Sequence, residues 1–328
     1  MIITKTPFRI SFFGGGTDYP GWYEEHEGAV LSTTIDKYCY ISARFLPPFF
    51  DHNYRVRYTI REETQTINEI QHPSVRECIR FSEIKSGIEL QHNSDLPSGI
   101  GVGSSSSFTV GTLNALFGLK GQIVSKQNLA EDALYVEQKM IKENVGSQDQ
   151  FAASFGGFNK ILFTQDSIQV HPITTSNEML KRLQSHLILF FTGQSRMASD
   201  IAQLQIEKTG QNKSQLHHIY SLVNTAINLL SSSNHNIEEF GSLLDETWKI
   251  KRGLTSKITN GSIDQIYETG IKSGALGGKL LGAGGGGCIL FFIPPNYRNK
   301  IKSALNKLVH IPFKFEKNGS QVIYFSPS

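Results

Sequence analysis

The chain has 328 residues, of which 39% are apolar and 19% are charged. The length suits two domains of ordinary size, and the composition excludes a disordered chain and a long coiled coil. The 32 lysines and arginines barely exceed the 29 aspartates and glutamates, which argues against a dedicated nucleic-acid-binding protein and leaves room for an anionic small substrate.

The cysteines and the N-terminal segment indicate the expected compartment. Cys39, Cys78 and Cys288 are too few and too far apart for a disulfide framework or a zinc site, so they fit a reducing compartment. The first residues form a strand-like segment rather than a signal peptide, and no apolar run approaches the ~20 residues of a membrane helix. The sequence therefore predicts a cytoplasmic protein without membrane contact.

The first half of the chain mixes strands with helices. We expect Pro7 to interrupt the first strand, because proline cannot donate to a sheet ladder. The predicted strands are 2–4, 8–13, 29–35, 38–45, 54–60, 87–92 and 157–163, and the predicted helices are 108–119 and 126–143.

The second half is mostly helical. Its predicted helices are 197–208, 216–230, 237–252, 262–273, the last of these capped by a serine, and 297–308, and its strands are 186–191, 288–293 and 322–325. We place the domain boundary near residue 180, which divides the chain into residues 1–180 and 181–328. Strands and helices alternate without a regular βαβ repeat, so the predicted class is α+β.

Fourteen of the 30 glycines lie in three short patches, and the middle patch joins a strand to a helix. Glycines there allow backbone N–H groups to face one point, and the helix start adds positive partial charge, which together favour phosphate binding. The alternative is a flexible loop with a serine helix cap. The predicted ATP-binding residues are Pro97, Gly99, Ile100, Gly101, Val102, Gly103, Ser104, Ser105 and Ser106.

The last patch runs from Gly274 to Gly287, and its segment 277–288 contains a formal G-x-G-x-x-G match. A predicted helix precedes this patch and a strand follows it, which is the wrong order for a dinucleotide-binding fold. The glycines therefore indicate a backbone that comes close either to a ligand or to another backbone.

The first patch follows a strand, and two further carboxylates lie downstream. Asp18 comes directly after Gly14, Gly15 and Gly16, so it either accepts hydroxyl groups of a sugar or caps a following helix. Glu137 and Asp149 would each be a surface carboxylate if considered alone. Beside a phosphate loop, one could hold Mg²⁺ and the other could orient or deprotonate a hydroxyl group.

Three motifs in this order resemble those of the GHMP kinases, the superfamily of galactokinase, homoserine kinase, mevalonate kinase and phosphomevalonate kinase. The motifs are residues 9–19, 97–107 and 282–287, and Val102 stands where the family pattern has leucine. The resemblance covers nearly the whole chain. It implies an N-terminal α+β domain with a left-handed β-α-β crossover and a ferredoxin-like C-terminal domain, with ATP and substrate between them.

The resemblance also implies roles for individual residues. Residues 99–105 would cradle the ATP phosphates, and Ser105 with Glu137 would hold Mg²⁺. Asp149 falls on the catalytic aspartate, and Arg9 falls on the basic residue beside the transferred phosphoryl group. The loop 282–287 would close against the reaction centre. These roles suit phosphoryl transfer, which depends on positioning and charge neutralisation.

The first motif departs from the galactokinases in a way that bears on the substrate. Galactokinases have Gly-Glu-His-Thr-Asp-Tyr where this chain has Gly-Gly-Gly-Thr-Asp-Tyr at 14–19, so Asp18 is retained and two side chains are lost. The open space suits a larger acceptor with a phosphorylated tail. Together with residues 148–158, the motif resembles the D-glycero-D-manno-heptose 7-phosphate kinases, which implies transfer from ATP to the anomeric O1 for nucleotide-activated heptose and surface polysaccharide.

A phosphate tail would need cationic partners, for which Arg196 and Lys251 are candidates. The alternative for Lys251 is a solvated helix face. The predicted substrate-binding residues are Gly14, Gly15, Gly16, Thr17, Asp18, Arg196, Lys251, Gly284 and Gly285.

Two other functions stay open: a kinase for a free sugar such as fucose or another hexose, and a non-catalytic sugar sensor on the same fold. The expected partners are ATP, Mg²⁺ and a sugar phosphate, and a homodimer is an open option.

Overall fold

The structure is a computed structural model that describes residues 1–193, 198–231 and 236–327. Its strands are β1 (Ile2–Phe13), β2 (Gly28–Phe45), β3 (Tyr54–Arg57), β4 (Arg61–Thr64), β5 (Ile88–Ser94), β6 (Phe158–Phe163), β7 (Ile168–Pro172), β8 (Leu187–Phe191), β9 (Gly277–Leu280), β10 (Cys288–Phe292), β11 (Val309–Ile311), β12 (Phe315–Glu316) and β13 (Gln321–Phe325).

Its helices are α1 (Pro20–Tyr23), α2 (Pro73–Ser82), α3 (Ser104–Leu119), α4 (Lys126–Tyr135), α5 (Gln148–Phe155), α6 (Asn177–His186), α7 (Ala198–Glu207), α8 (Lys213–Ser231), α9 (Glu238–Leu254), α10 (Gly261–Lys272) and α11 (Arg298–Ala304). A π-helical turn, Val136–Ile141, extends α4. Among the described residues, no helix is both long enough and apolar enough to cross a membrane.

A nine-stranded sheet is organised around the long strand β2. β1 pairs with it antiparallel along most of its length, while β5 and β6 pair with its two halves on the opposite edge. The remaining strands extend this sheet in the order β13-β1-β2-β5-β3-β4, with β7 beside β6 and β12 beside β2. The expected break at Pro7 is wrong, because the ladder of β1 continues through it. A register shift between Pro7 and Phe8 absorbs the missing donor.

A second, four-stranded antiparallel sheet has the strand order β11-β8-β10-β9. Numbered from its own first strand, this order is 4-1-3-2, which is the ferredoxin-like arrangement expected from the resemblance. Within the large sheet, β3 and β5 are parallel neighbours with α2 between them in sequence, as a β-α-β crossover requires. The left-handed sense of this connection stays a prediction.

Several elements differ from the sequence expectation. The helices α2, α5 and α6 and the strands β4, β7, β9, β11 and β12 were not predicted. The cap of α10 is Asn260 rather than a serine, since its side chain accepts the N–H of Ile263. The last two strands, β12 and β13, return to the large sheet. The boundary near residue 180 stays a prediction, and this pairing adds that the C-terminal segment belongs to the first sheet.

A cluster of buried aromatic rings joins the two sheets below the first glycine patch. Phe12 and Phe13 at the end of β1 pack edge-to-face on Phe240 of α9, with ring centroids 5.5 and 5.0 Å apart. Phe240 in turn contacts Phe292 of β10 at 6.0 Å. Because edge-to-face pairs add specific geometry to apolar burial, the cluster fixes where β1 ends relative to the C-terminal sheet.

The middle and last glycine patches pack directly on each other. A Cβ atom at Gly101 would lie 2.4 Å from the carbonyl oxygen of Leu281, and one at Gly287 would lie 2.5 Å from that of Ile100. The backbone N–H of Cys288 donates to the same Ile100 oxygen at 2.8 Å. Of the two alternatives for the last patch, this part of it approaches another backbone. No side chain larger than hydrogen fits between the loops.

This contact predicts unequal effects of two glycine substitutions. Gly287→Ala places a methyl group against Ile100 at a φ of +105°, so we expect the free energy of unfolding to fall by about 3 kcal/mol or more. Gly121→Ala is the matched control, because its φ is +71° but no atom lies within 4 Å of the added carbon. There we expect a loss of about 1 kcal/mol. Urea unfolding measures both values, and equal losses would contradict the backbone contact.

Candidate functional site

A cleft opens where the three glycine patches meet. The described residues that line it are Arg9, Gly15, Gly16, Asp18, Tyr19, Gly99, Gly101, Gly103, Ser104, Ser105, Ser106, Asn144, Val145, Gly146, Gln148, Asp149, Ala202, Gln205, Lys251, Gly282 and Ala283. Both sheets thus contribute to one site: β1 and α3 from the first, and α9 and the loop after β9 from the second.

Arg9 and Asp149 form a bidentate ion pair in the cleft. The Nε of Arg9 donates to Oδ1 of Asp149 at 2.7 Å and one terminal nitrogen donates to Oδ2 at 2.8 Å. The other terminal nitrogen donates to the carbonyl oxygen of Gly101 at 2.6 Å. The arginine side chain is only 5% exposed and the aspartate is 22% exposed, so the carboxylate is the partner that faces the cleft.

The middle patch brings backbone N–H groups to the start of α3. Gly99, Gly101 and Gly103 all have positive φ, at +72°, +83° and +75°, which L-residues with side chains rarely adopt. A Cβ atom at Gly103 would also lie 3.1 Å from Arg9 Cγ and 3.4 Å from Asp149 Cγ. The loop therefore turns tightly against the ion pair at the N-terminus of a 16-residue helix, an arrangement suited to phosphate groups.

Asp18 is held at the edge of the cleft rather than at a helix cap. Its Oδ1 accepts the N–H of Gly16 at 2.9 Å, and its Oδ2 accepts Nε2 of Gln148 at 2.7 Å. Burial raises the pKa of the carboxyl, the two hydrogen bonds oppose that shift, and the charge of Asp149 adds to it. Gly146 must be glycine, because a Cβ atom there would lie 2.0 Å from Oδ2 of Asp18.

Lys251 reaches the cleft from α9, so it is not part of a solvated helix face. It is buried, and its Nζ donates to the carbonyl oxygen of Gly282 at 2.6 Å. Burial lowers its pKa to about 8, and the charge of Arg9 lowers it further. The charges of Asp18 and Asp149 act in the other direction, because they favour the charged ammonium. A Cβ atom at Gly15 would lie 3.9 Å from this ammonium.

Gly15 and Gly16 differ in why they are glycine. Gly16 has a φ of +109°, so its backbone favours glycine, whereas no such φ constrains Gly15. Only the absence of a side chain at Gly15 therefore leaves the space before Lys251 open.

Glu137 is fully buried on the π-helical turn behind the serine loop. Its Oε2 accepts the hydroxyl of Ser106 at 2.9 Å and also accepts Nε2 of Gln150, while Oε1 finds no hydrogen-bond partner among the described residues. Burial raises the pKa of this carboxyl to about 7, and the charge of Glu143 adds to that shift. The structure places Ser106, rather than the exposed Ser105, in contact with Glu137.

Several predicted residues do not line the cleft. The side chains of Ile100 and Val102 are buried in the core and Pro97 is exposed. Gly14 packs on Ala29, and the Thr17 hydroxyl donates to backbone carbonyls of Gly14 and Ala29.

In the last patch, a different pair of residues lines the cleft. Gly284 and Gly285, which were predicted to bind the substrate, contact Ile258 instead. Gly282 and Ala283 are the residues of this patch that line the cleft. Arg196 lies outside the described residues.

Sequence reasoning missed three parts of the site. Residues 144–146 line the cleft between Asp18 and Asp149, and Gln205 donates to the carbonyl oxygen of Ala283 at 2.8 Å. Lys279, buried on β9, lies behind the cleft. The dipeptide Gly146–Ser147 next to Gln148 carried a turn signal, whereas nothing in the sequence marked Gln205.

Family models for the N-terminal and C-terminal domains of GHMP kinases match residues 70–157 and 226–311, together more than half of the chain. The chain belongs to the GHMP kinase family and is an ATP-dependent phosphotransferase. The two-domain fold expected from the motifs is confirmed.

Individual relatives span nearly the full length. A D-glycero-alpha-D-manno-heptose 7-phosphate kinase from Campylobacter jejuni subsp. jejuni serotype O:2 is 29% identical over 322 residues, covering 93% of each chain. A galactokinase from Thermotoga maritima is 24% identical, covering 92% of each. A solved D-glycero-D-manno-heptose 1-phosphate kinase from Bacteroides thetaiotaomicron shares the fold with a TM-score of 0.75 at 21% identity, covering 99% of this chain and 100% of its own.

The raised pKa of Glu137 predicts how stability depends on pH. The carboxyl titrates near 4.5 when unfolded and near 7 when folded, so the folded protein binds more protons between these values. The free energy of unfolding should therefore fall as pH rises from 4.5 to 7, by up to about 3 kcal/mol from this group. Urea unfolding at pH 5 and at pH 8 measures this fall. In the Glu137→Gln variant, the difference between the two free energies of unfolding should be smaller by that amount. The exposed Glu268→Gln control should keep the wild-type slope; an unchanged slope in Glu137→Gln would contradict the assignment.

Proposed function

We propose that the protein transfers the γ-phosphoryl group of ATP to the anomeric O1 of D-glycero-D-manno-heptose 7-phosphate and so supplies the 1,7-bisphosphate for nucleotide-activated heptose. The observation that carries this proposal is the pair of carboxylates, Asp18 and Asp149, beside the open space at Gly15. The name of the full-length relative from Campylobacter jejuni supports the same acceptor.

Each end of the cleft suits one substrate. The N–H groups of the middle patch and the start of α3 would receive the ATP phosphates. Asp18 offers carboxylate oxygens to acceptor hydroxyl groups, and its hydrogen bonds from Gly16 and Gln148 fix their direction. The acceptor would thus lie between Asp18 and Asp149, with its reactive oxygen toward the phosphate loop.

The proton of the attacking hydroxyl group would pass to Asp149. Arg9 occupies one lone-pair direction of each Asp149 oxygen, which leaves the exposed side of the carboxylate free to accept a proton. The new bond forms between O1 and the γ-phosphorus while the bond to the β-phosphate oxygen of ATP breaks, and ADP leaves. The guanidinium of Arg9 lies beside Gly101 and adds positive charge where the phosphoryl oxygens gain negative charge.

The residues behind the serine loop fit a magnesium ion. Glu137 has a buried oxygen without a partner, and carboxylate and hydroxyl oxygens are the ligands that Mg²⁺ prefers. Glu137 would hold the ion together with Ser105 or with Ser106, whose hydroxyl already contacts it. A bound ion would neutralise charge on the ATP phosphates.

A substrate panel tests the acceptor. With ATP and Mg²⁺, we expect ADP release with heptose 7-phosphate to exceed that with galactose, fucose or free heptose by at least about tenfold in kcat/KM, since lost charge-assisted contacts cost that much. Preference for a free sugar would overturn the proposed acceptor. Binding of ATP and sugar without ADP release would instead support a sugar sensor.

Replacing the proposed base should abolish most of this turnover. Asp149→Asn should lower kcat by about 10²- to 10⁴-fold in the same assay of ADP release, because the amide cannot accept the proton. Asp166→Asn on an exposed loop is the control and should keep wild-type kcat. An Asp149→Asn variant that retains most of its turnover would disprove the role of this carboxylate.

The space before Lys251 gives a sharper test of the phosphate tail. Gly15→Glu would place a carboxylate near the Lys251 ammonium, so we expect the KM for heptose 7-phosphate to rise at least about tenfold through competition for that cation. Gly15→Ala is the matched control and should change this KM less than about threefold, because its methyl group makes only ordinary contact. If both variants leave KM unchanged, Lys251 does not bind the tail.

A further inference from the structure

Lys279 is a buried lysine whose role the reaction described above does not use. It lies on β9 with 1% of its surface exposed. Its ammonium donates to the carbonyl oxygens of Ser11 and Phe12, at 2.9 and 2.8 Å. These are consecutive residues near the end of β1, so the side chain crosses from the C-terminal sheet to the N-terminal sheet.

A lysine at this place is costly unless it does something an apolar residue cannot. Burying an ammonium removes its hydration, and none of the described residues forms an ion pair with Lys279. Burial lowers the pKa of Lys279 well below its usual value, and the charges of Lys251 and Arg9 lower it further. Asp18 is the carboxylate whose charge opposes this shift. A methionine would fill similar volume without this penalty, so the two hydrogen bonds to β1 are what the lysine adds.

The two segments that Lys279 joins both continue directly into the lining of the cleft. β1 leads through Gly14 to Asp18, which carries the proposed contact with acceptor hydroxyl groups. β9 leads through Leu281 to Gly282, whose carbonyl oxygen holds Lys251. Lys279 therefore adds two polar bonds to the aromatic contact between Phe12 and Phe240 in setting how these two parts of the lining lie relative to each other.

We propose that Lys279 is a positioning residue that sets the distance between the acceptor loop, residues 14–18, and the C-terminal glycine loop, residues 281–287. Through these bonds it acts on acceptor binding and not on ATP binding. The inference rests on the proposed role of Asp18 in acceptor recognition. It also explains a buried amine that a purely apolar interface would not contain.

The phosphate loop supplies the reason for this selectivity. Gly101 contacts the C-terminal glycine loop by backbone packing that does not involve Lys279. Loss of the lysine would therefore loosen the end of β1 at Ser11 and Phe12, which would then be held by the aromatic contacts alone, while the contact between the two glycine loops remains. A displacement of about 1 Å in a recognition group can cost on the order of 10²-fold in rate.

The experiment compares Lys279→Met with Lys279→Arg and with a matched control, Lys120→Met. The ammonium of Lys120 also donates to a backbone carbonyl, that of Ser82 at 2.7 Å, but away from the cleft. KM is measured separately for ATP and for heptose 7-phosphate, with calorimetric affinities for each and thermal unfolding of every variant. For Lys279→Met we expect acceptor KM and Kd to rise about 10- to 100-fold with the ATP values within about twofold.

Lys279→Arg keeps a cation with several donors and should recover part of the lost acceptor affinity, while Lys120→Met should leave both substrates within about twofold. Equal effects on ATP and acceptor, or a lower unfolding temperature with both KM values unchanged, would overturn the positioning role. If Lys279→Met does not fold, Lys279→Gln is measured in its place. Failure of both to fold would show that the lysine is structural and also reject the proposal.

The outcome is separable from that of the proposed function. If the wild-type protein prefers a free sugar, the proposed acceptor fails, and the Lys279 comparison is made with that sugar. If no acceptor supports ADP release, calorimetric binding of heptose 7-phosphate still compares the variants. Selective loss of acceptor affinity in Lys279→Met supports the positioning role in each case.

Discussion

Two glycine-rich loops from different sheets meet backbone to backbone, and the geometry of the cleft depends on that contact. Gly101 lies against Leu281, and the Cys288 N–H donates to Ile100. A side chain at Gly101 or at Gly287 would push the two loops apart, and the start of α3 would move away from the C-terminal side of the cleft. The glycines of these two loops therefore serve packing as well as ligand approach.

Charge balance is the second constraint on the site. Arg9, Lys251 and Lys279 bring three basic groups to a region that also holds Asp18 and Asp149, with Glu137 behind the serine loop. Asp149 is already paired with Arg9. Arg9 and Lys251 nevertheless offer positive charge at the cleft, which suits a site that holds ATP and, by our proposal, a sugar phosphate. Burial lowers the pKa of Lys251, and the charges of Asp18 and Asp149 oppose that shift.

Local sequence patterns predicted which residues form this site, but they did not predict which of these residues contact each other. A strand ending in glycines and an aspartate, and a glycine-serine loop before a helix, were both visible in the sequence, and Arg9, Asp18 and Asp149 do lie together. Pairings between distant segments were not visible. The Glu137–Ser106 contact depends on a π-helical turn, which shifts the register of side chains by one residue relative to an α-helix.

Lys279 shows the same limit more clearly. In the sequence it stood after Gly278 in a short segment of glycines and leucines, where it matched no phosphate-binding pattern. Its partners are main-chain carbonyls about 270 positions away, at Ser11 and Phe12, and carbonyls carry no sequence signal. Pro7 failed as a strand break for a related reason: the pairing of β1 with β2 on both sides of it outweighed the loss of one donor.

Strand β1 unites these observations, because it connects the groups that we propose act on the two substrates. Arg9, in its middle, orients Asp149 and bonds to the phosphate loop at Gly101. Its last residues receive Lys279, and the chain then turns into Asp18. A shift of the whole strand would move Asp149, the loop at Gly101 and Asp18 together. A shift confined to its last residues, where Lys279 binds, would instead move Asp18 and leave Arg9 and its contacts in place. Packing on both sheets, through the Phe12–Phe240 contact and the ladder to β2, is therefore a requirement of the chemistry and not only of the fold.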